Sequence, residues 1–260
     1  MSTQYAETIS TELNLQSQQV ISTIALLDEG GTVPFIARYR KEATGLLDEV
    51  AIMQIRDRLE QLRELDKRRE TILKSLEDQE VLSDELREKV SAAQSLSALE
   101  DIYLPYRPKR RTRATIAREK GLAPLADLLF KQDETMDPDT EAAVFIDKEK
   151  EVTSVEDALA GARDIIAEWI NEDPQARAQV RDLYASHSTL RTRVTTGKEQ
   201  EGSKYRDYFE WEEPLAKAPS HRVLAMRRGE KEQCLSLRII GPEEQCLAAL
   251  DQQFVKGDNT

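Results

Sequence analysis

The chain has 260 residues, of which 39% are hydrophobic, 33% are charged and 5% are aromatic. Its 10 glycines and 9 prolines are few, and this composition favours helices over a β-sandwich or β-barrel. No apolar run approaches the roughly 18 residues of a membrane span, and the first residues lack the pattern of a secretory signal. We therefore expect a cytoplasmic protein whose two cysteines, Cys234 and Cys246, are small core residues.

The charge of the chain is unevenly distributed. A net charge of −12 argues against nucleic-acid binding when it is considered alone. Residues 101–120, however, contain seven basic and two acidic side chains, whereas residues 121–180 contain five basic and fifteen acidic ones. Because a local field can attract phosphate despite the overall sign, nucleic acid stays open as a partner.

A long amphipathic helix is the clearest predicted element of the first half. Asp48 is suited to cap it, and apolar residues recur at spacings of mostly three, four and seven as far as Leu76. This pattern predicts a helix lying along a larger body, with a coiled-coil dimer as the less favoured alternative. The pattern of residues 6–28 predicts two short helices before it. Residues 32–41 indicate a turn whose first residues are apolar and aromatic and whose last residues are basic.

Further elements are predicted from capping residues and periodicity. Ser83 and Asp173 are suited to be helix N-caps, and Ser97 with Glu100 fits a capping box. Helices are predicted over 122–130, 154–170, 174–184, 220–228 and 243–254, strands over 190–196 and 235–240, and a linker or exposed loop over 131–153. The predicted fold class is mainly α, a multi-helix body over 1–185 with the long helix, followed by a small mixed α/β segment over 186–260.

Residue patterns of common catalytic sites are absent from the sequence. His187 and His221 have no partner at metal-ligand spacing, and neither a phosphate-binding glycine loop nor a nucleophile elbow occurs. The many carboxylates follow helical charge patterns, so no two of them stand out as an acid and a base. We therefore expect no enzyme activity, no cofactor, no metal and no small-molecule substrate, and a nuclease is the least favoured alternative.

Residues 104–113 are the most informative stretch of the chain. Pro105 and Pro108 favour an extended path, and five cations lie within 107–113. Arginine hydrogen-bonds phosphate oxygens in pairs, and a tyrosine can stack on a base. The predicted nucleic-acid contacts are Tyr106, Arg107, Lys109, Arg110, Arg111 and Arg113. The competing interpretation is that these cations pair with the acidic region 131–157 and hold the helices together.

Three ordered strings of residues resemble signatures of the Tex proteins, a family of bacterial transcription accessory factors. They are DEGGTVPFIARYRKE at 28–42, LEDIYLPYRPKRRTR at 99–113 and SHRVLAMRRGEKE at 220–232. The sequence departs from the family pattern at Leu46 and Ala114, where glycine is expected. These departures concern details of turns.

The resemblance implies a cytoplasmic bacterial protein that supports transcription and binds nucleic acid, RNA above all and DNA as an alternative. It implies that the region 1–185 includes a helix-turn-helix-like portion and that 186–260 leads towards an RNase H-like domain. Helix-hairpin-helix and RNA-binding OB-fold domains are then expected beyond this chain. RNA polymerase is a candidate partner, and no membrane is expected. The alternative is a structural scaffold or polymerase-docking module that binds no nucleic acid itself.

Overall fold

The computed structural model describes residues 2–108, 111–133 and 135–256. It is mainly helical with one small antiparallel sheet, which confirms the predicted fold class. Contacts divide the chain into two compact units, Met1–Tyr106 and Arg107–Thr260. These units do not test the predicted domain boundary at residue 185, which stays a prediction. Lys109 and Arg110 of the predicted contact residues lie outside the described residues.

The first unit is built along one long helix. Its elements are α1 (Ser2–Leu13), α2 (Ser17–Asp28), α3 (Val33–Tyr39), α4 (Glu49–Asp78), α5 (Asp84–Ala92), α6 (Leu96–Tyr103) and a 3₁₀ turn (Leu104–Tyr106). The first half of α4 contributes Ile52, Ile55 and Leu59 to a core shared with α1, α2 and α3. Its second half belongs to another core, with α5 and α6, through Leu65 and Ile72. The long helix therefore lies along a larger body, as predicted.

The capping predictions for this unit are partly confirmed. The Asp48 carboxylate accepts from the Ala51 amide at 2.8 Å, and Ser83 caps α5. The predicted capping box was wrong, because Ser95 caps α6 and Ser97 lies inside its first turn. The predicted turn over 32–41 was also wrong in part, since α3 occupies most of it. Pro34 fits the first turn of that helix, where its missing N–H costs no hydrogen bond.

The second unit combines a helical core with the sheet. Its elements are α7 (Arg113–Glu119), α8 (Ala123–Lys131), α9 (Pro138–Ala143), α10 (Val155–Glu172), α11 (Pro174–His187), β1 (Thr189–Val194), β2 (Glu210–Pro214), α12 (Ser220–Lys231), β3 (Leu235–Ile240) and α13 (Glu243–Phe254). α10 is central and packs on α7, α8 and α9. Gly161 permits the close approach, because a Cβ there would lie 2.3 Å from Cδ1 of Leu122. The predicted loop over 131–153 was wrong in part: it contains α9, and its Ala142 and Val152 are buried.

The sheet has β1 in the centre, with β2 and β3 antiparallel on either side. The strand β2 was not predicted, because its sequence EWEEP carries the charges of an exposed edge. The helix α12 does not stop at Gly229, which is buried inside it and would clash with Leu235 if it had a Cβ. Cys234 and Cys246 are free and buried, as predicted. No helix among the described residues is long and apolar enough to cross a membrane.

Candidate nucleic-acid interface

The predicted contact residues lie on both sides of the boundary between the two units. Tyr106 ends the first unit, where it is half-buried and packs against the core formed by α4, α5 and α6. Its ring is therefore partly engaged in packing, which leaves less of it for a base. Arg107 begins the second unit, is exposed, and has no ion pair with another described residue.

Arg111 and Arg113 flank the cap of α7. Thr112 accepts from the Thr115 amide at 3.0 Å and so fixes the start of the helix between the two arginines. Arg111 pairs with Glu119 at 2.6 Å, and Arg113 lies 3.5 Å from a carboxylate oxygen of Asp164. The two arginine side chains are 67% and 86% exposed. Ion pairs this exposed add roughly 0–1 kcal/mol, so both guanidinium groups stay open to exchange for phosphate.

The competing interpretation, internal ion pairing, also finds support nearby. Arg118 pairs with Glu168 of α10, whose side chain is only 10% exposed. The same carboxylate accepts from the Thr112 hydroxyl at 3.0 Å, so it ties α7 to α10 at two points. Among described cations of 101–120, Lys120 alone reaches the region 131–157, with its ammonium 3.5 Å from the Glu151 carboxylate. Internal pairing therefore occurs, but its main acceptors lie on α10 outside the predicted acidic region.

Several carboxylates of the acidic region serve local turns instead. Asp137 caps α9 and accepts from Thr140, and Asp157 accepts from both the hydroxyl and the amide of Thr153. The Thr140 hydroxyl lowers the pKa of Asp137, and the Thr153 hydroxyl lowers the pKa of Asp157. These carboxylates are stabilised in the charged form without any arginine, so they do not depend on ion pairs with the cations of residues 107–120, the basic segment.

One basic residue of α12, Arg222, contacts the sheet. Arg222 pairs with Glu213 of β2 at 2.8 Å, and its guanidinium lies 5.3 Å from the centroid of a Trp211 ring. Arg227 pairs with Glu230 on the same helix. Arg222 therefore links α12 to β2, a contact that the sequence analysis did not predict.

A cluster of arginines on one face of the sheet was missed. Arg191 of β1 stands opposite Arg238 of β3, and Arg193 follows two residues along. With Ser236 and Ile240 these side chains line a depression of about 300 Å³. Arg191 pairs with Glu212, whereas Arg193 and Arg238 are exposed and have no ion pair with another described residue. Arg191 and Arg193 are two positions apart in a predicted strand, so the sequence alone places them on one face. That Arg238 lies beside them could not be predicted, because it depends on the register between β1 and β3.

Comparison with known proteins gives matches over both units. The family model described as Tex-like protein N-terminal domain matches residues 3–77, and the one described as Tex central region-like matches residues 133–256. The contact residues predicted within 106–113 lie between these two matched ranges.

Individual relatives agree with the family models. The chain is 47% identical over 239 residues to Protein YhgF of Escherichia coli, a match that covers 92% of this chain and 31% of that protein. It is 46% identical over 231 residues to the Transcriptional accessory protein Tex of Neisseria gonorrhoeae, covering 89% and 30%. It is 24% identical over 246 residues to the human S1 RNA-binding domain-containing protein 1, covering 90% and 24%.

The chain thus spans less than a third of the length of these relatives. The two matched ranges follow each other in order and together include most of the residues. The resemblance carried by the three sequence signatures is therefore confirmed, and the chain belongs to the Tex family.

Proposed function

We propose that this chain is a nucleic-acid-contacting part of a Tex-type transcription accessory protein. Arg107, Arg111 and Arg113 hold the phosphate backbone, with Lys109 and Arg110 as further contacts, and RNA is the preferred ligand over DNA. The observation that carries the proposal is the exposure of Arg111 and Arg113, 67% and 86%, in pairs that solvent weakens. The names of two relatives, a transcriptional accessory protein and an S1 RNA-binding domain-containing protein, support this role at the level of the family.

The proposal also includes a place of action and a mode of contact. It places the protein in the bacterial cytoplasm, with a helix-turn-helix-like portion within 1–185 and RNA polymerase as a further partner, and it assigns no catalytic step. Phosphate contacts of this kind position a nucleic acid without reading its sequence. We therefore expect little dependence of affinity on base sequence.

The test is the salt dependence of binding, measured by fluorescence anisotropy with labelled single-stranded RNA and with duplex DNA. Each phosphate neutralised contributes roughly −0.7 to the slope of log K against log salt on a single strand. The variant Arg107→Gln/Arg111→Gln/Arg113→Gln should therefore flatten the slope by about 2 and weaken binding most at low salt.

A matched control removes three exposed cations elsewhere, through Lys74→Gln, Lys148→Gln and Lys217→Gln. Both variants change the net charge equally, so a general loss of attraction would affect them alike. Equal slopes for the two variants, or a wild-type chain that binds neither ligand at low salt, would refute the proposal.

A structural scaffold is the second candidate, and the two contacts of Glu168 favour it. Here the basic segment holds α7 on α10, and the helices brace other parts of the protein or dock on polymerase. The scaffold requires that Arg118→Gln lowers the melting temperature while the triple variant at 107, 111 and 113 leaves both stability and any RNA binding unchanged. Loss of RNA binding in the triple variant, at an unaltered melting temperature, would decide for nucleic-acid contact.

A further inference from the structure

The helix α3 presents two aromatic rings to solvent. Val33, Ile36 and Ala37 are buried in the first core, while Phe35 and Tyr39 lie on the opposite face. Phe35 is 45% exposed and Tyr39 is 66% exposed, and their ring centroids are 5.5 Å apart with a tilt of 42°. Aromatic rings usually bury most of their surface, so an adjacent exposed pair indicates a surface that binds something.

Three cations lie on the same helix or directly after it. The guanidinium of Arg40 lies 5.8 Å from the centroid of the Phe35 ring, and Arg38 and Lys41 are also exposed. None of the three has an ion pair with another described residue. Glu42 is the one carboxylate within 35–42, and Glu29 lines a depression together with Phe35 and Arg40, so three cations outnumber two carboxylates here in a chain whose net charge is −12. We name Phe35, Arg38, Tyr39, Arg40 and Lys41 the aromatic-cationic turn.

The backbone after α3 is held by hydrogen bonds. The Leu46 amide donates to the Lys41 carbonyl at 2.8 Å, and the hydroxyl of buried Thr44 donates to the same oxygen at 3.1 Å. From α2, the Gln19 side-chain amide donates to the Gly45 carbonyl at 2.8 Å. A surface ordered before binding loses less conformational entropy when a ligand arrives.

We propose that the aromatic-cationic turn is a stacking site for the bases of single-stranded nucleic acid. Bases stack on Tyr39 and Phe35, while Arg38, Arg40 and Lys41 contact the adjoining phosphates. Exposed rings interleaved with unpaired cations are the features by which proteins hold single strands, and the bases of a duplex cannot reach such rings. The inference rests on the proposed function and adds to it a second contact, in the unit Met1–Tyr106, that recognises bases rather than phosphate alone.

The experiment compares two ligands of the same length, an oligouridylate of about 12 nucleotides and an abasic oligomer with the same number of phosphates. The full chain is used throughout, with anisotropy as the readout. Tyr39→Ala should weaken oligouridylate binding about fivefold or more, because stacking on one base is lost. The same variant should bind the abasic oligomer as the wild type does, and its salt slope should not change, because stacking releases no counterions.

The cations give the complementary result. Arg38→Gln/Lys41→Gln should flatten the salt slope by about 1.4 on either ligand. Its matched control is Lys67→Gln/Lys74→Gln, which removes two exposed cations from α4 of the same unit. Tyr39→Phe keeps the ring and should bind like the wild type. Because every altered side chain is exposed, melting temperatures should agree. If Tyr39→Ala melts lower, Phe35→Ser, which removes the other ring, takes its place.

Three outcomes would overturn the stacking site. Tyr39→Ala could bind oligouridylate as tightly as the wild type, or it could lose the same affinity for the abasic oligomer. If the variants at 107, 111 and 113 still flatten the slope in these cases, the proposed function stands and the stacking site alone is wrong. A wild-type chain that binds no single strand removes both, and the exposed rings would then have to serve a protein partner.

Discussion

Leu46 holds a left-handed backbone conformation, with φ of 66°, and its side chain is 75% exposed. The resemblance to the Tex signatures leads to the expectation of glycine here, and glycine adopts this conformation without the clash that a Cβ causes. The leucine therefore holds a strained turn directly after the aromatic-cationic turn. The hydrogen bond from its amide to the Lys41 carbonyl contributes to holding it in place.

We expect Leu46→Gly to stabilise the chain by about 1 kcal/mol relative to Leu46→Ala, because alanine keeps the strain and glycine relieves it. The alanine variant is the matched control, since both substitutions remove the same exposed side chain. Urea denaturation gives the two free energies of unfolding. Equal stabilities would show that the turn carries no such strain.

Individual residues differ in how far the sequence predicts their role. Asp48, Ser83 and Asp173 cap helices as predicted, because a cap depends on neighbours within three residues. Ser95 and Ser97 stand two positions apart, and local preference alone does not separate them. The carboxylates that pair with the basic segment lie partly on α10, as Glu168 does for Arg118, about fifty positions further along the chain. No local sequence pattern predicts a pairing over that separation.

At the scale of elements, α1 is tied to α4 by an ion pair. Nε and Nη2 of Arg58 donate to the two oxygens of Glu12 at 2.6 and 2.7 Å, and the hydroxyl of Tyr5 donates to Asp66. The hydrogen bonds from Arg58 lower the pKa of Glu12. Because the folded-state pKa is depressed, the pair stabilises the chain above the unfolded-state pKa of glutamate, and this contribution is lost as the pH falls through the lowered value.

We expect Glu12→Gln to cost a few tenths of a kcal/mol near neutral pH, since the Glu12 side chain is 40% exposed and solvent screens the pair. The difference from the wild type should shrink towards zero below about pH 4. Urea denaturation at about pH 7 and about pH 3 measures it. Glu7→Gln, on the same helix and without an ion pair among the described residues, is the control. A difference that persists in acid would contradict the pair's role.

Long periodic elements such as α4 and α10 could be predicted because burial on one face imposes a repeat of 3.6 residues. Short elements could not. α3 spans 7 residues and α9 spans 6, too few for the repeat to stand out. The strand β2 is stabilised by its pairing with β1, so its sequence carries little preference of its own. The arginine face of the sheet depends on that same tertiary pairing.

At the scale of the whole molecule, the basic charge lies in distinct places. The aromatic-cationic turn belongs to the unit Met1–Tyr106, whereas the basic segment and the arginine face belong to Arg107–Thr260. A net charge of −12 therefore gives a poor guide to partners, because acidic side chains engaged in caps and pairs offset cations that remain exposed. The sequence predicted the basic segment and the family. The aromatic-cationic turn could be recognised only from side-chain exposure, and the arginine face only from strand register.

The boundary between the two units falls between Tyr106 and Arg107, inside the segment proposed to hold phosphate. Few contacts cross such a boundary, and trypsin cleaves after lysine or arginine, which the sequence supplies at Lys109, Arg110 and Arg111. Brief digestion of the native chain should therefore cut here first and release two stable fragments, identified by mass spectrometry. Lys109→Gln/Arg110→Gln/Arg111→Gln, which lacks these sites, should resist that first cut.

Single-stranded RNA should slow this cleavage and leave unchanged the cuts outside this segment and the aromatic-cationic turn, because a bound phosphate backbone excludes the protease. An early cut elsewhere would contradict the boundary, and a cut here that RNA does not slow would contradict the contact. If both predictions hold, bound nucleic acid protects this segment of the chain from cleavage. The rate at which proteases cleave the protein into two fragments would then depend on how much of it is bound to nucleic acid.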